Sequence, residues 1–303
     1  HQGVDGCNKV LGLIKPSFDR GSLSRNLSQY WFWLSHVWQR SLEGLLKDKG
    51  HSTALEQKTA FKEGLPPTVT KSLSRLSCNV VAKLKQKYLH QDQWVLLLKH
   101  LKPDSASDDG GFDFSSYSEI SPPDDCFWAD PFVISKDGHD YVFFEELPFS
   151  TERGHLSCME VFVDGRHSEP KVVIQEPYHL SYPNVFEYKS EFYLIPESGD
   201  KGSIDLYHCT EFPYQWQYQK TLISDIHAYD STLIEYQGRW WLFATVVPKL
   251  GLSGCEELHI FHADSPISTE WQPHLKNPVI SDASRARPGG NFYIKEKQLY
   301  RVS

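Results

Sequence analysis

The sequence predicts a mainly β protein, in which an α-helical leader precedes a five-bladed β-propeller that is incomplete at its C-terminus. The main observation is an internal repeat that appears in two series. DPFV, YPNV, DSTL and RPGG begin at Asp130, Tyr182, Asp230 and Arg287, with spacings of 52, 48 and 57 residues. YVFFE, YLIPE, WLFAT and LYRVS begin at residues 141, 193, 241 and 299, with spacings of 52, 48 and 58 residues. Chance matches rarely stay in step to within one residue in this way.

Each repeat contains four short segments with strand character, separated by turn signals such as Lys136-Asp-Gly and Tyr236-Gln-Gly. Four strands in a unit of this length are typical of a propeller blade. The innermost strands are predicted at 130–134, 182–187, 230–235 and 287–293, each paired antiparallel with the segment near 141, 193, 241 or 299. Three units are complete and a fourth stops after its second strand at Ser303, so we expect further residues to complete the ring. The apolar run QWVLLL from Gln93 fits either a closing strand or the end of a helix.

The leader is predicted to span residues 1–102 as a helical or inter-domain segment, with a linker at 103–126 and the propeller at 127–303. One helix is indicated by apolar residues at three- and four-residue steps: Leu27, Tyr30, Trp31, Leu34, Trp38, Leu42 and Leu45. A second helical pattern follows Pro66-Pro67. The aromatic cluster at 30–33 fits a membrane-interface anchor or a packed core, and we favour the core.

Charge divides the chain into a basic leader and an acidic body. Residues 1–101 carry a net charge of +8 and residues 102–303 a net charge of −16, within a total of −8. The leader could bind a membrane surface or another polyanion, but docking on the acidic body is favoured. No apolar stretch is long enough for a transmembrane helix, and no nucleic-acid partner is predicted.

The six cysteines are widely scattered, without a C-x-x-C pair or a Cys/His metal-binding spacing. Buried free thiols are therefore favoured over disulfides. No metal site and no cofactor are predicted.

The candidate site follows from the repeat, because the first strand of every propeller blade lines the central channel. Channel positions in successive repeats hold two Asp, a Tyr and an Arg. The second strands end at Glu145, Glu197, Thr245 and Ser303, with Glu146 beside Glu145. Paired carboxyl groups can protonate a leaving oxygen and activate a nucleophile in glycoside hydrolysis. A simpler alternative is that these residues cap turns or form tight bends. The candidate catalytic residues are Asp130, Glu197, Asp230, Glu145 and Glu146, and the candidate substrate-binding residues are Arg287, His179, Tyr182 and Asn184.

His179 precedes a channel strand and could reach the rim of the funnel. A lone histidine there is more often a hydrogen-bonded loop residue than a metal ligand. Arg287 could hold a carboxylate ionised or bind an anionic substituent.

Several motifs together resemble one known family. They are FWADPF (127–132), FFEE (143–146), YHLSYPNVFE (178–187), YLIPES (193–198), SIDLYHCTEFPYQW (203–216), WWLFA (240–244) and SRARPGG (284–290). The resemblance is to the propeller domain in the N-terminal part of plant glucosamine inositolphosphorylceramide transferases. More distantly, the blade pattern is similar to the arabinanase, levansucrase and invertase superfamily, which includes glycoside hydrolase family 43.

The distant resemblance implies roles for individual residues. Asp130 would act as base or nucleophile, Asp230 would orient or tune it, and Glu197 would be the general acid, with Glu145 or Glu146 in reserve. The favoured function is a domain that binds or positions a glycan or glycolipid headgroup, serving a preceding or following catalytic domain. A glycoside hydrolase and a non-binding scaffold are the alternatives, and no glycosyltransferase domain is recognisable.

Overall fold

The structure is a computed structural model that describes residues 14–17, 23–47, 93–99, 117–248, 253–295 and 298–303. The chain divides into two compact units. The first comprises residues 1–91 with 281–284, and the second comprises residues 92–280 with 285–303. All the candidate site residues belong to the second unit.

The first unit contains one long helix, α1 (Leu23–Lys47), where the leader pattern predicts it. Trp33 is buried, but Trp31 and Trp38 are 63% and 65% exposed. The prediction that the aromatic cluster forms a core is therefore wrong for Trp31 and for the half-exposed Tyr30. The second predicted helix lies outside the described residues. Within the described parts of the chain, no helix combines the length and apolar character needed to cross a membrane.

The second unit is built from antiparallel strands, as the predicted mainly β class requires. A small pair of strands comes first: β1 (Leu96–Leu98) and β2 (Ser118–Ile120). The first sheet contains β3 (Cys126–Lys136), β4 (His139–Pro148), β5 (His155–Val161) and β6 (Lys171–Ile174). The second sheet contains β7 (Ser181–Tyr188), β8 (Glu191–Glu197), β9 (Ser203–Glu211) and β10 (Gln215–Ser224), with a 3-10 turn at Gly199–Lys201.

The third sheet contains β11 (His227–Tyr236), β12 (Arg239–Val247), β13 (Glu257–Ala263) and β14 (Gln272–Pro273). A two-residue strand, β15 (Ile280–Ser281), and a short hairpin of β16 (Tyr293–Lys295) and β17 (Gln298–Tyr300) follow. In each of the three sheets, strands that are consecutive in sequence are neighbours in space. The predicted pairing of each first strand with the second strand of its own repeat is confirmed in all three sheets.

The fourth repeat differs from its prediction. A first strand was expected at 287–293, but the strand begins only at Tyr293, and Arg287 lies in the preceding loop. The sequence Arg287-Pro288-Gly289-Gly290 explains the delay, because proline donates no ladder hydrogen bond and glycine weakens a strand. The predicted linker at 103–126 also contains β2, whose three residues are too few to produce a periodic pattern. The number of blades and the closure of a ring stay predictions.

Apolar clusters lie between successive layers of the second unit. One joins Leu96 and Ile120 to the first sheet, the second joins the first sheet to the second, and the third joins the second sheet to the third. Side chains alternate between the two faces of β4, so successive residues belong to different clusters. Phe143 packs toward the second sheet and Phe144 toward β1 and β2. The next two residues of the same strand continue this alternation, which decides the orientation of Glu145 and Glu146.

The four cysteines that the structure describes are free thiols. Cys126, Cys158 and Cys209 are buried, as predicted, and Cys255 is half-buried. Burial raises the pKa of the Cys126 and Cys209 thiols to about 11, which keeps both thiols protonated and unreactive near neutral pH.

Candidate active site

The first strands of the three sheets share one backbone irregularity. Asp130, Tyr182 and Asp230 have φ angles of 51°, 47° and 53°. These values lie in the left-handed region, which residues other than glycine rarely adopt. The strand register breaks at the same point in each sheet, between 129 and 132, 181 and 184, and 229 and 232. Each break is a bulge, which turns a side chain away from its regular direction in the pleat. In each of the three sheets, the same kind of bulge therefore redirects the side chain at the equivalent position of the repeat.

Arg287 connects two carboxylates that different sheets provide. Its guanidinium donates hydrogen bonds to both carboxylate oxygens of Asp230, and its Nη2 donates to Oε2 of Glu197 at 3.3 Å. The side chains of Asp230 and Glu197 are 4% and 9% exposed, whereas that of Arg287 is 44% exposed. Buried carboxylates that accept such forked hydrogen bonds hold the guanidinium in a fixed direction. Arg287 thus faces solvent at one side and the buried acids at the other.

Tyr229 supports the same guanidinium, although the sequence pattern did not single it out. The Cζ atom of Arg287 lies 5.9 Å from the centre of the Tyr229 ring, within the range of a cation–π contact. Gly199 and Gly254 pack against the ring so closely that a Cβ on either would approach ring atoms within 2.7 or 2.9 Å. These glycines leave the space that the ring occupies.

Arg287 binds Asp230 and Glu197, whereas Glu145 and Asp130 form the other part of the cluster. Burial raises the pKa of Glu145 to about 8, and the neighbouring carboxylates of Asp130 and Asp230 add to the rise. Burial and the charge of Asp230 likewise raise the pKa of Asp130 to about 6. The pKa of Glu197 is also raised, first by burial and then by Asp230. The site therefore holds Glu145, which keeps its proton near neutral pH, beside Asp130, which is mainly ionised there.

His179 contacts Glu145, in the loop that precedes β7. The backbone N–H of Gly154 donates to Nδ1 of His179 at 3.0 Å, which leaves Nε2 as the protonated nitrogen of a neutral ring. Nε2 lies 3.3 Å from Oε1 of Glu145, and burial lowers the pKa of the imidazole. His179 is thus a hydrogen-bonded loop residue that also contacts one of the acids.

Gly154 is crowded from three directions, so replacing it with alanine is expected to destabilise the protein by about 1–3 kcal/mol. A Cβ there would lie 2.6 Å from Oε1 of Glu145 and 2.7 Å from the carbonyl oxygen of Leu180. Chemical denaturation followed by circular dichroism measures the loss. Gly44→Ala is the matched control, because a Cβ on this α1 residue meets nothing within 4 Å. It should stabilise its helix by about 0.5–1 kcal/mol. Equal effects of the two variants would contradict close packing at Gly154.

Glu146, the reserve acid, lies on the opposite face of β4 from Glu145. Ser157 Oγ donates to its Oε2 at 2.6 Å, and His155 Nε2 lies 3.4 Å from the same oxygen. The hydrogen bond from His155 lowers the pKa of Glu146, with a further contribution from Ser157. The structure thus brings Asp130, Glu145, Glu197, Asp230 and Arg287 together and places Glu146 elsewhere.

Tyr182 and Asn184 are buried and join neighbouring sheets. The Tyr182 hydroxyl lies 2.8 Å from Thr232 Oγ1 and accepts a hydrogen bond from the Gly290 backbone at 2.8 Å. Asn184 Oδ1 accepts a hydrogen bond from the Leu233 backbone at 3.1 Å. These contacts tie the second sheet to the third and to the Arg287 loop, so both side chains help to hold the cluster together.

The comparison of the chain with known protein families gives a match over residues 113–303, to the family described as "Glucosamine inositolphosphorylceramide transferase 1, N-terminal". The chain belongs to this family. The resemblance identified from the motifs is thereby confirmed, and it covers the whole carboxylate cluster.

Relatives within the family are plant proteins. The chain is 39% identical over 178 residues to glucosamine inositolphosphorylceramide transferase 1 of Oryza sativa subsp. japonica. The matched region covers 58% of this chain and 24% of that protein. The chain is 34% identical over 179 residues to the protein of the same name from Arabidopsis thaliana, which covers 58% and 23%. The chain thus spans about a quarter of the length of these relatives.

Solved structures with some likeness are glycoside hydrolases. One is a family 117 glycoside hydrolase from the marine bacterium Zobellia galactanivorans, with 15% identity, a TM-score of 0.41 and coverage of 62% of each chain. Another is an alpha-L-arabinofuranosidase from Lactobacillus brevis, with 15% identity, a TM-score of 0.43 and coverage of 60% of this chain and 69% of that one. Neither likeness bears on the activity of this chain.

Proposed function

We propose that this chain is a carbohydrate-active propeller domain that binds a glycan or glycolipid headgroup at the carboxylate cluster. In this proposal the sheets are blades, the cluster lies in their central funnel, and a catalytic domain of a larger glycan-modifying protein receives the bound ligand. The relatives are named glucosamine inositolphosphorylceramide transferases, and the amino sugar and lipid in this name support a ligand of this class.

One observation carries the proposal: five ionisable side chains from four repeats meet, and the same kind of bulge directs two of them. Asp130 and Asp230 occupy equivalent positions in the first and third sheets, and Arg287 from the next repeat binds Asp230. A turn cap would need no such meeting between sheets. Carboxylates accept hydrogen bonds from sugar hydroxyls, a protonated acid donates one, and the exposed side of Arg287 donates others. The cluster therefore offers both the hydrogen-bond acceptors and the hydrogen-bond donors that a polyhydroxylated ligand requires.

Glycoside hydrolysis is the second candidate, because two neighbouring acids differ in pKa. Glu145, with a pKa of about 8, can hold a proton for a leaving oxygen, while Asp130, at about 6, is mainly ionised at neutral pH. In this alternative Glu145 suits the role of general acid better than Glu197, since Glu197 already accepts a hydrogen bond from Arg287. Asp130 would be the base or nucleophile.

Asp130→Asn separates the candidates, because it keeps the shape of the side chain and removes its charge. We expect glycan binding to weaken by about tenfold or more, since a hydrogen bond to a charged group is lost. Binding to a glycan array and titration calorimetry with the best hit measure the effect. Arg239→Ala, at an exposed strand end in the third sheet, is the control and should bind like the wild type.

Two other results would change the conclusion. Hydrolysis of a bound glycoside that Asp130→Asn abolishes with nearly unchanged affinity would favour the hydrolase, because only a group that acts in the transition state behaves in this way. Absence of binding and turnover in the wild type across the array would leave the scaffold as the explanation.

A further inference from the structure

A cavity of about 350 Å³ opens beside Asp130. Four segments of the chain line it: the residues that lead into β1, the bulge of β3, Tyr182 of β7 and the Gly289–Gly290 loop. Its volume falls within the range of about 300–1,000 Å³ that is usual for small-molecule sites. A Cβ on Gly290 would meet no atom within 4 Å, so space also remains at the glycine wall.

Trp94 is the unusual member of this lining. Its side chain is 60% exposed, whereas Trp128 and Tyr182 in the same wall are 3% and 2% exposed. An exposed indole at the wall of a cavity gains free energy when a ligand covers it, because burial of a large apolar ring is favourable. A polar residue lies close by, since Asp130 lines the same cavity.

We propose that this cavity is a sugar subsite in which the indole of Trp94 stacks on the apolar face of a pyranose ring whose hydroxyls bind Asp130. The inference rests on the proposed function and adds the contact residue and the class of sugar. An indole face packs against the C–H face of a sugar, and a carboxylate accepts hydrogen bonds from the hydroxyls at its edge. Neither Trp94 nor the segment before β1 belongs to the repeat that supplies the acids.

The charges around Asp130 select among sugars. The carboxyl groups of Asp230 and Glu145 lie near Asp130, and the single guanidinium of the cluster is already bound to Asp230 and Glu197. A uronic acid would bring another carboxylate to this place, and like charges repel. The subsite therefore takes a neutral or amino sugar in preference to a uronic acid.

The test titrates the chain with methyl glucoside, methyl glucosaminide and methyl glucuronide. The backbone amide resonances of Gly289 and Gly290, which line the cavity, follow binding by NMR in the wild type and in every variant. The indole N–H resonance of Trp94, assigned from its loss in Trp94→Phe, is a second signal in the wild type. We expect Trp94→Ala to weaken binding of the first two sugars by about tenfold and Trp94→Phe to weaken it less, because a smaller ring still stacks. The glucuronide should bind about tenfold more weakly than the glucoside. Trp38→Ala replaces an equally exposed indole of α1 and is the control for general loss of tryptophan.

The results also separate this inference from the proposed function. Wild-type affinity in Trp94→Ala, together with weakened binding in Asp130→Asn, overturns the subsite and leaves the proposed function in place. The same holds if larger glycans bind but none of the three methyl glycosides does. Equal affinity for glucoside and glucuronide overturns the selection by charge. If no glycan of any size binds the wild-type chain, both the subsite and the proposed function are wrong.

Discussion

Glu145→Gln is expected to make the protein more stable than the wild type at about pH 9 and equally stable at about pH 4. The pKa of Glu145 rises from an ordinary 4.5 to about 8 in the folded protein, chiefly because the carboxyl group is buried. Between these two values the folded state holds a proton that the unfolded state has released. The free energy of unfolding therefore falls as pH rises through this window.

The size of this effect follows from the shift. At about 1.4 kcal/mol for each pKa unit, the wild type loses about 4–5 kcal/mol by the upper end of the window. Glutamine keeps the shape and the oxygen that faces His179, but it carries no charge at any pH. Urea denaturation at a series of pH values measures the effect, and the stability of the variant should decline less with rising pH than that of the wild type, by this amount.

Glu146→Gln is the control with the opposite sign, at the adjacent position of the same strand. The hydrogen bond from His155 lowers the pKa of Glu146, so its ionised form stabilises the folded state. That stability is present above the ordinary pKa of a glutamate and is lost as pH falls through the lowered value. This variant should therefore be less stable than the wild type at neutral pH. Parallel profiles for the two variants would show that the two acids do not occupy different environments.

Arg287→Ala is expected to lower the free energy of unfolding at neutral pH by about 3 kcal/mol. The substitution leaves the carboxyl groups of Asp230 and Glu197 buried without their hydrogen-bond donor. The lower end of the range for broken buried pairs applies, since Arg287 itself is half-exposed. Thermal and urea denaturation at neutral pH provide the measurement.

Two further variants check that the effect comes from the forked contact. Arg287→Lys keeps the charge but cannot bind both oxygens of Asp230 in one plane, so it should fall between the wild type and the alanine variant. Arg239→Ala removes an exposed arginine of the third sheet and should change stability by less than about 0.5 kcal/mol. A loss in Arg239→Ala as large as that in Arg287→Ala would contradict the importance of the buried acids.

The repeat predicts the first three sheets well because the spacing of its motifs fixes which segments pair. Asp130 and Asp230 come together for the same reason, since equivalent positions of successive sheets point to one place. Arg287 joins them although it lies in a loop and not in the predicted strand, because its long side chain reaches the acids. The pattern could not show that Glu145 and Glu146 diverge until the register of β4 was known, since either residue could have occupied the inward face.

Contacts between sheets are harder to obtain from sequence. His179 faces Glu145 as a tautomer that Gly154, a residue of another loop, fixes by a hydrogen bond. Tyr182 occupies a predicted channel position of the repeat, and its hydroxyl binds the third sheet and the Arg287 loop. Such partners lie 25 to 108 residues apart in the chain. One sequence contains no signal that pairs them.

The bulge shared by the three first strands has a consequence for how such a domain can change over time. An acid, a phenol and a second acid hold one backbone conformation, so the conformation does not depend on the identity of the side chain. Duplication of a unit therefore copies an aimed position together with its sheet, and later substitutions at that position alter chemistry while strand pairing is inherited intact. Single substitutions at this position can then change which ligand is preferred while the fold is maintained.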